Sequence, residues 1–205
     1  MKNLKPLVTL LALVLAMLVA ACDSGKPQFR NTDVTGADYA KDFRLTDHRG
    51  RSVGLADYKG KVVTVFFGFT QCPDVCPTEL AAMSSIMGKL GADAARLQVL
   101  FVTVDPERDT QELLAKYVPA FHPSFIGLRG DLDATARVAK DFKVFYKKSP
   151  GKAPGSYTMD HTAGTYVFDP QGRLRLFARP AMSAESQANA VDWLLGDIKL
   201  LLAGN

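Results

Sequence analysis

Hydrophobic and polar positions along this chain follow strand spacing in some segments and helix spacing in others. Nearly continuous apolar, β-branched and aromatic residues at 61–69 and 97–104 predict two strands that are buried on both faces of a sheet. Apolar residues at helical spacing predict a helix over 77–90. The remaining pattern predicts, in order, a hairpin from 42 to 55 with its turn at 47–50, a helix near 110–118, a short strand at 124–128, a helix at 132–142, a loop at 147–156, a hairpin pairing 165–168 with 174–177, and a last helix over 184–202.

This order of elements indicates an α/β fold with one central mixed sheet flanked by helices. A strand–helix–strand unit, further helix and strand units, and then a hairpin and a terminal helix are typical of a thioredoxin-like sheet with an N-terminal hairpin and an insertion. Parallel crossovers bring the carboxyl ends of the strands at 61–69 and 97–104 to the same edge of the sheet. We therefore expect the functional site at that edge.

The first 21 residues have the pattern of a signal peptide. Lys2 and Lys5 precede an apolar run from position 7 to position 21, which as a helix spans about 22 Å and is shorter than the roughly 30 Å core of a bilayer. The run ends in Val-Ala-Ala-Cys, which resembles a bacterial lipobox and predicts lipidation of Cys22. An uncleaved anchor, or a small-residue cleavage site that happens to precede a cysteine, are the alternatives.

Polar, turn-forming residues follow Cys22 and predict a lipidated tether over 22–40, ahead of a domain over 41–205. Asp23, directly after the predicted lipidation site, resembles a retention signal for the inner membrane. We therefore expect a protein of the bacterial cell envelope, lipid-anchored to the periplasmic face of the inner (cytoplasmic) membrane.

Composition and charge narrow the class of protein. Of the 205 residues, 47% are hydrophobic and 22% are charged, which excludes disordered, collagen-like and disulfide-dense classes. The formal net charge is +4, and Lys2 and Lys5 of the predicted leader supply two of these charges. Because the remaining excess of positive charge is small and evenly spread along the chain, nucleic acid is not an expected partner.

Two cysteines, Cys72 and Cys76, follow the first buried strand in the segment Thr-Gln-Cys-Pro-Asp-Val-Cys-Pro. Each precedes a proline, which predicts that they lie in the strand-to-helix turn and the first helical turn. The helix dipole favours a thiolate there, whereas Asp74 between them opposes it. Such a pair closes a disulfide, exchanges disulfides with a partner or binds a soft metal. A purely structural disulfide is the weaker interpretation, because so short a loop gains little entropic stabilisation.

Four segments together resemble the Sco/SenC family, and the resemblance extends over roughly residues 38–202 in consistent order. They are Phe-Phe-Gly-Phe-Thr-Gln-Cys-Pro-Asp-Val-Cys-Pro at 66–77, Val-Asp-Pro-Glu-Arg-Asp at 104–109, Asp-His-Thr at 160–162 and Asp-Pro-Gln-Gly at 169–172. The resemblance implies a thioredoxin-like fold and a membrane-tethered copper-binding protein that helps mature the binuclear copper centre of cytochrome c oxidase subunit II. It also implies that Cys72, Cys76 and His161 hold the copper. One position departs from the pattern: many relatives have histidine just before the first cysteine, and this chain has Gln71.

The chemistry of these side chains agrees with that expectation. Thiolates are soft donors that select Cu(I), and an added imidazole suits Cu(II), although zinc accepts the same ligands. Without the resemblance, a lone histidine such as His161 is more often a surface or hydrogen-bonded residue than a ligand. No functional role is predicted for His48 or His122.

Three aspartates near these segments have competing interpretations. Asp105 is predicted to act as a weak outer ligand or to orient His161, and an Asx turn before Pro106 is the alternative. Asp160 is either a partner of the histidine or a solvated carboxylate. Asp109, with Glu112 three residues later, is predicted to be a helix N-cap with a capping box.

Two functions from different classes fit these residues. The first is a copper chaperone in which Cys72, Cys76 and His161 pass the ion to subunit II by ligand exchange, with other copper chaperones as further partners. The second is an enzyme, a thiol–disulfide oxidoreductase whose redox pair is Cys72 and Cys76, recharged by thioredoxin-like reductants. Peroxidase chemistry is a weaker third, because Asp74 lies where cationic groups would be expected. Which cysteine attacks first is left open by the sequence.

Overall fold

The computed structural model describes residues 28–180 and 184–204. The predicted signal peptide, Cys22 and the first residues of the predicted tether lie outside this part of the chain. The strands are β1 (Thr32–Asp33), β2 (Leu45–Asp47), β3 (Ser52–Val53), β4 (Val62–Gly68), β5 (Leu97–Thr103), β6 (Ile126–Arg129), β7 (Tyr146–Pro150), β8 (Tyr157–His161), β9 (Thr165–Phe168) and β10 (Leu174–Ala178). The α-helices are α1 (Val75–Leu90), α2 (Gln111–Tyr117), α3 (Leu132–Asp141) and α4 (Ala184–Leu202).

Eight of these strands form one mixed sheet in the order β1-β10-β9-β4-β5-β6-β2-β3. Strands β4, β5 and β6 are parallel, while β9 runs antiparallel to β4 and β10 antiparallel to β9. The unit β4–α1–β5 and the unit β9–β10–α4 form the ends of the thioredoxin-like core, and the elements from α2 to β8 lie between them in the chain. The predicted α/β, thioredoxin-like class is confirmed.

The two central strands explain why the sheet is stable. All seven residues of β4 and all seven of β5 are buried, as expected for strands covered on both faces. Helix α1 packs its apolar face, including Leu80, Met83 and Ile86, into this core, and α4 packs beside α1. Among the described residues, no helix has both the length and the hydrophobicity needed to cross a membrane.

The segment predicted as tether and early loop contributes to the domain in its described part. Strand β1 pairs with β10, and Ala40 is buried in the core. The buried carboxylate of Asp197 accepts hydrogen bonds from the backbone N–H groups of Arg30 and Asn31, which fixes this segment against α4. The sequence showed no period here because the strand has only two residues, both exposed.

Two local predictions are wrong. The predicted loop at 147–156 is shorter than expected: residues 147–150 lie in β7, and only 151–156 connect it to β8, with which it forms a two-stranded antiparallel sheet outside the main one. Its exposed lysines hide the strand pattern, because the pair has little apolar surface to bury. The N-cap of α2 is Thr110, whose hydroxyl accepts from the Leu113 N–H, and not Asp109, whose carboxylate is buried.

Candidate metal centre

The cysteine loop joins the carboxyl end of β4 to the first turn of α1. Cys72 lies in the loop and is half-buried, while Cys76 lies in the first helical turn and is fully buried; both thiols are free. The Cys76 N–H donates to the Cys72 sulfur at 3.4 Å, and the Cys72 N–H donates to the Phe69 carbonyl at 3.2 Å. The helix N-terminus therefore directs a backbone donor at the Cys72 sulfur, as the proline spacing predicted.

Gly68, the last residue of β4, makes room for Cys76. A Cβ atom at this position would lie 2.8 Å from the Cys76 Sγ and 2.8 Å from the Phe101 ring, closer than such contacts allow. The requirement is steric, because the buried sulfur occupies the space that a side chain would need. This role was not predicted from the sequence, although a lone glycine in a bulky apolar strand is a known signal of close approach.

His161 ends strand β8 and reaches the cysteines from 85 positions further along the chain. Its Nε2 lies 3.8 Å from the Cys76 Sγ, and its Nδ1 lies 3.0 Å from the Thr162 carbonyl oxygen. A carbonyl only accepts, so Nδ1 carries a proton, and Nε2 is the ring nitrogen that faces the sulfur pair. The rings of Phe66 and Phe69 meet the imidazole edge-on, with centroids 6.2 and 5.9 Å away.

Cys72, Cys76 and His161 thus form one cluster. The three candidate ligand atoms all lie within 4.8 Å of one another, and the cluster sits at the sheet edge where the sequence predicted a site. We refer to these three residues as the CCH cluster. The ring is oriented by a hydrogen bond on its far nitrogen, the arrangement in which metal-ligating histidines are commonly held.

The two thiols differ in acidity. A hydrogen bond from the Cys76 thiol, together with contributions from His161 and from the backbone N–H groups of Asp74 and Cys76, lowers the pKa of Cys72 to about 4 despite partial burial. The same hydrogen bond and deeper burial raise the pKa of Cys76. Cys72 is therefore the thiolate at neutral pH and Cys76 its proton donor. Asp74 assists the thiolate through its backbone, so its position does not argue against a reactive cysteine.

Asp109 lies behind the cysteine loop and was not recognised from the sequence as part of the site. Its buried carboxylate accepts from the Thr70 N–H, from the Thr70 hydroxyl at 2.6 Å and from the Thr103 hydroxyl at 2.5 Å. Burial raises the pKa of Asp109, and its charge in turn contributes to raising that of Cys76. The carboxylate ties the loop before Cys72 to the end of β5.

Asp105 and Asp160 lie near the cluster but engage other groups. Asp105 is buried after β5, where its carboxylate accepts from the Arg108 guanidinium at 2.5 Å and from the Tyr157 hydroxyl at 2.9 Å. Asp160 is exposed and accepts from the Ser149 hydroxyl across the β7–β8 pair at 2.5 Å. Neither carboxylate belongs to the group of described ligand atoms that the CCH cluster brings together.

Comparison with known proteins identifies the relatives of this fold and site. A family model described as SCO1/SenC matches residues 31–196. The mitochondrial SCO2 homologue of Bos taurus is 38% identical over 177 residues, which cover 85% of this chain and 66% of the relative. For the human and mouse SCO2 homologues the matched share of the relative is 57% and 60%, so the chain spans about six tenths of the length of these proteins.

Solved structures give the same result. ScoI of Bradyrhizobium japonicum, solved with copper bound, is 40% identical with a TM-score of 0.66, and the match covers 78% of this chain and 98% of that one. Apo Sco1 of Thermus thermophilus is 42% identical with a TM-score of 0.72, covering 87% of this chain and 100% of that one. With a family model spanning most of the described residues and a thioredoxin-like core that carries the CCH cluster, this chain belongs to the SCO1/SenC family.

Proposed function

We propose that this protein is a copper chaperone that binds one copper ion through Cys72, Cys76 and His161. The observation that carries the proposal is the CCH cluster, whose three donor atoms converge within 4.8 Å although His161 is 85 positions from Cys76. Relatives at 40% and 32% identity, from Bradyrhizobium japonicum and yeast, have been solved with copper bound, which supports the choice of metal.

The donor set suits copper in both oxidation states. Cys72 and Cys76 supply two soft sulfur donors for Cu(I), and Nε2 of His161 adds the nitrogen donor that Cu(II) favours. Because the pKa of Cys72 is held at about 4, this ligand needs no deprotonation at neutral pH. Cys76 releases its proton when the ion binds.

The copper ion would be transferred to its acceptor by ligand exchange. Cys72, the more exposed of the two sulfurs, is the ligand that an incoming thiolate reaches first, and Cys76 and His161 are replaced after it. The acceptor that we propose is the binuclear copper site of cytochrome c oxidase subunit II, with other copper chaperones as donors. A lipid on Cys22 would hold the protein at the periplasmic face of the inner membrane, where such an acceptor is exposed.

A second candidate, thiol–disulfide oxidoreductase activity, is favoured by the acidity of Cys72. The Cys72 thiolate attacks one sulfur of a partner disulfide, forms a mixed disulfide and expels the other sulfur as a thiolate. Cys76 then loses its proton and attacks Cys72, which releases the second partner thiolate and leaves a Cys72–Cys76 disulfide. Two electrons pass to the partner, and a thioredoxin-like dithiol restores the pair.

Copper titration of the reduced protein tests the chaperone proposal. We expect one copper per chain, and sulfur-to-copper charge-transfer absorption in the cupric form. His161→Ala should weaken Cu(II) binding far more than Cu(I) binding, because the two sulfurs that hold Cu(I) remain. His122→Ala is the matched control, since His122 bonds to Ser124 away from the cluster and should change neither affinity.

Turnover of a disulfide-containing subunit II peptide separates the two functions. The chaperone proposal requires loss of Cu(II) binding in His161→Ala. Full disulfide-reducing activity in that variant, with negligible copper retention by the parent protein, would instead favour the oxidoreductase.

A further inference from the structure

The histidine of the CCH cluster is carried by a pair of strands that lies outside the main sheet. Strands β7 and β8 hydrogen-bond to each other and form a separate two-stranded sheet. Tyr157 begins β8 and His161 ends it, and alternation along a strand places them on the same face together with the buried Met159. Side-chain contacts on this face therefore govern where the imidazole lies relative to the cysteines.

Arg108 makes the most extensive of these contacts. Its Nε donates to Asp105 at 2.5 Å, and its Nη1 donates to the Tyr157 carbonyl at 2.9 Å and to the Gln71 side-chain oxygen at 3.1 Å. The guanidinium also stacks on the Tyr157 ring, 3.6 Å from its centroid. The Tyr157 hydroxyl completes the arrangement by donating to the other oxygen of Asp105 at 2.9 Å. We call Gln71, Asp105, Arg108 and Tyr157 the Arg108 bridge.

The Arg108 bridge connects the two halves of the candidate metal centre. Gln71 directly precedes Cys72, and Tyr157 starts the strand that His161 ends. Asp105 lies in the same segment after β5 as Arg108 itself, so one guanidinium joins this segment to two others that are distant in the sequence. A second ion pair, between Lys148 of β7 and Glu107, joins the strand pair to the same segment. The bridge thus spans the gap between the sulfur ligands and the nitrogen ligand.

The chemistry of arginine is specific to this arrangement. A planar guanidinium presents several donors in a fixed geometry and stacks on aromatic rings, whereas a lysine offers a single point charge. The Arg108 side chain is only 21% exposed, and its buried Nη2 has no hydrogen-bond partner among the described residues. An unsatisfied buried donor costs about 1–3 kcal/mol. Fold stability alone is a poor explanation for a group that is buried at such a penalty.

We propose that Arg108 is a positioning residue that holds the His161 strand over the cysteine pair, with Gln71 as the acceptor that fixes this strand to the cysteine loop. The part of this inference that concerns copper binding rests on the proposed function. The contacts through which Arg108 positions the strand do not depend on it. It also gives Gln71 a role, because its amide oxygen accepts a hydrogen bond from Arg108.

Two variants of Arg108 and one control test the proposal. Arg108→Leu removes the hydrogen-bond donors and the stacking on Tyr157. Arg108→Lys keeps the positive charge but lacks the planar guanidinium with its several donors. The control is Arg129→Leu, because Arg129 donates to the carbonyls of Asp109 and Pro106 and holds the same segment from its other side. A loss of ring contacts or of copper affinity that comes only from loosening the segment after β5 should therefore appear in the control as well.

The first measurement uses the reduced, metal-free protein. We expect Arg108→Leu to shift the His161 ring resonances and to abolish nuclear Overhauser contacts between that ring and Phe69, with faster amide exchange along β8. Arg129→Leu should leave these contacts in place. Unchanged ring contacts and exchange in Arg108→Leu would overturn the proposal, whatever the protein binds.

The second measurement compares copper affinities. Arg108→Leu should weaken Cu(II) binding by about 10-fold to 100-fold, the usual effect of losing a group that orients a ligand, and Cu(I) binding by less than about 3-fold. Arg108→Lys should fall between Arg108→Leu and the parent. Equal losses for both oxidation states, matched by Arg129→Leu, would assign Arg108 a structural role only. His161→Ala serves as the reference, because normal Cu(II) binding by that variant would contradict the proposed function and leave the metal-free result to decide on Arg108.

Discussion

At the scale of single residues, the environments of Cys72 and Cys76 shift their acidities in opposite directions. Cys72 receives hydrogen bonds from the Cys76 thiol and from backbone N–H groups at the start of α1, whereas Cys76 is fully buried beside Gly68. We therefore propose Cys72 as the nucleophile and Cys76 as its proton donor, an assignment that the motif left open.

We predict that alkylation of Cys72 by iodoacetamide proceeds at a nearly constant rate from pH 8 down to about pH 6 and slows only as the pH approaches 4. The reason is that the thiolate, which is the reacting form, persists until its pKa of about 4 is reached. Mass spectrometry of the reduced, metal-free protein measures the rate.

Two variants at position 76 provide the control for this pH profile. Cys76→Ser keeps a hydrogen-bond donor and should keep the profile, whereas Cys76→Ala removes the donor, raises the pKa of Cys72 and slows the reaction at pH 6. A midpoint near 8.5 in the parent protein, the value of an ordinary thiol, would contradict the assignment.

At the scale of elements, the approach of α1 to β4 depends on Gly68. We predict that Gly68→Ala lowers the free energy of unfolding by about 1–3 kcal/mol, because the added methyl overlaps Cys76 and Phe101 in a close-packed core. The displaced sulfur should also weaken copper binding. Denaturant unfolding and copper titration measure the two effects.

Gly88→Ala is the matched control on the same helix. Gly88 is an exposed residue of α1, and a Cβ atom at this position would have no neighbouring atom within 4 Å, so the added methyl meets open space. The variant should gain about 0.5–1 kcal/mol from better helix propensity and bind copper as the parent does. If Gly68→Ala behaved like Gly88→Ala, the steric account of the site would be wrong.

At the scale of the whole molecule, buried carboxylates make stability depend on pH. Glu79, one turn beyond Cys76 on α1, accepts from the Thr165 hydroxyl of β9 at 2.5 Å, and burial raises its pKa above the ordinary value of 4.5. The folded protein holds this proton more tightly than the unfolded chain does. Its contribution to stability is therefore complete below pH 4.5 and is lost as the pH rises through the folded-state pKa.

We predict that Glu79→Gln becomes more stable relative to the parent as the pH rises from 4.5 to 8, because glutamine has no charge to bury. The difference should grow by about 1.4 kcal/mol for each unit by which folding raises the pKa of Glu79. Urea unfolding across this range checks the prediction.

Glu112 is exposed, and its pKa is shifted in the direction opposite to that of Glu79. Hydrogen bonds from its own backbone N–H and from Thr110 lower the pKa of Glu112, so Glu112→Gln should lose stability relative to the parent as the pH rises towards 4.5, with little further change up to pH 8. A pH-independent difference for Glu79→Gln would show that this carboxyl is not held protonated by burial.

Most of the architecture could be predicted from local pattern. The buried runs that became β4 and β5, the helical spacing of α1 and the turn between β9 and β10 are visible because burial repeats with the period of the element itself. The segments Asp-His-Arg-Gly-Arg at 47–51 and Asp-Pro-Gln-Gly-Arg at 169–173 fold as the same turn, with the aspartate accepting from the backbone and from the arginine four residues on. Strands β7 and β8 escaped prediction because they bury little apolar surface.

By itself, the sequence determined the order of strands and helices and placed two cysteines at the turn where a buried strand meets a helix, since those features depend on neighbours within a few residues. Only the tertiary structure brought the imidazole of His161 to the sulfurs, put Asp109 behind the loop and joined both halves of the site through Arg108. The reason is physical: donor geometry, burial and thiol acidity arise from contacts between segments that the chain separates by tens of residues.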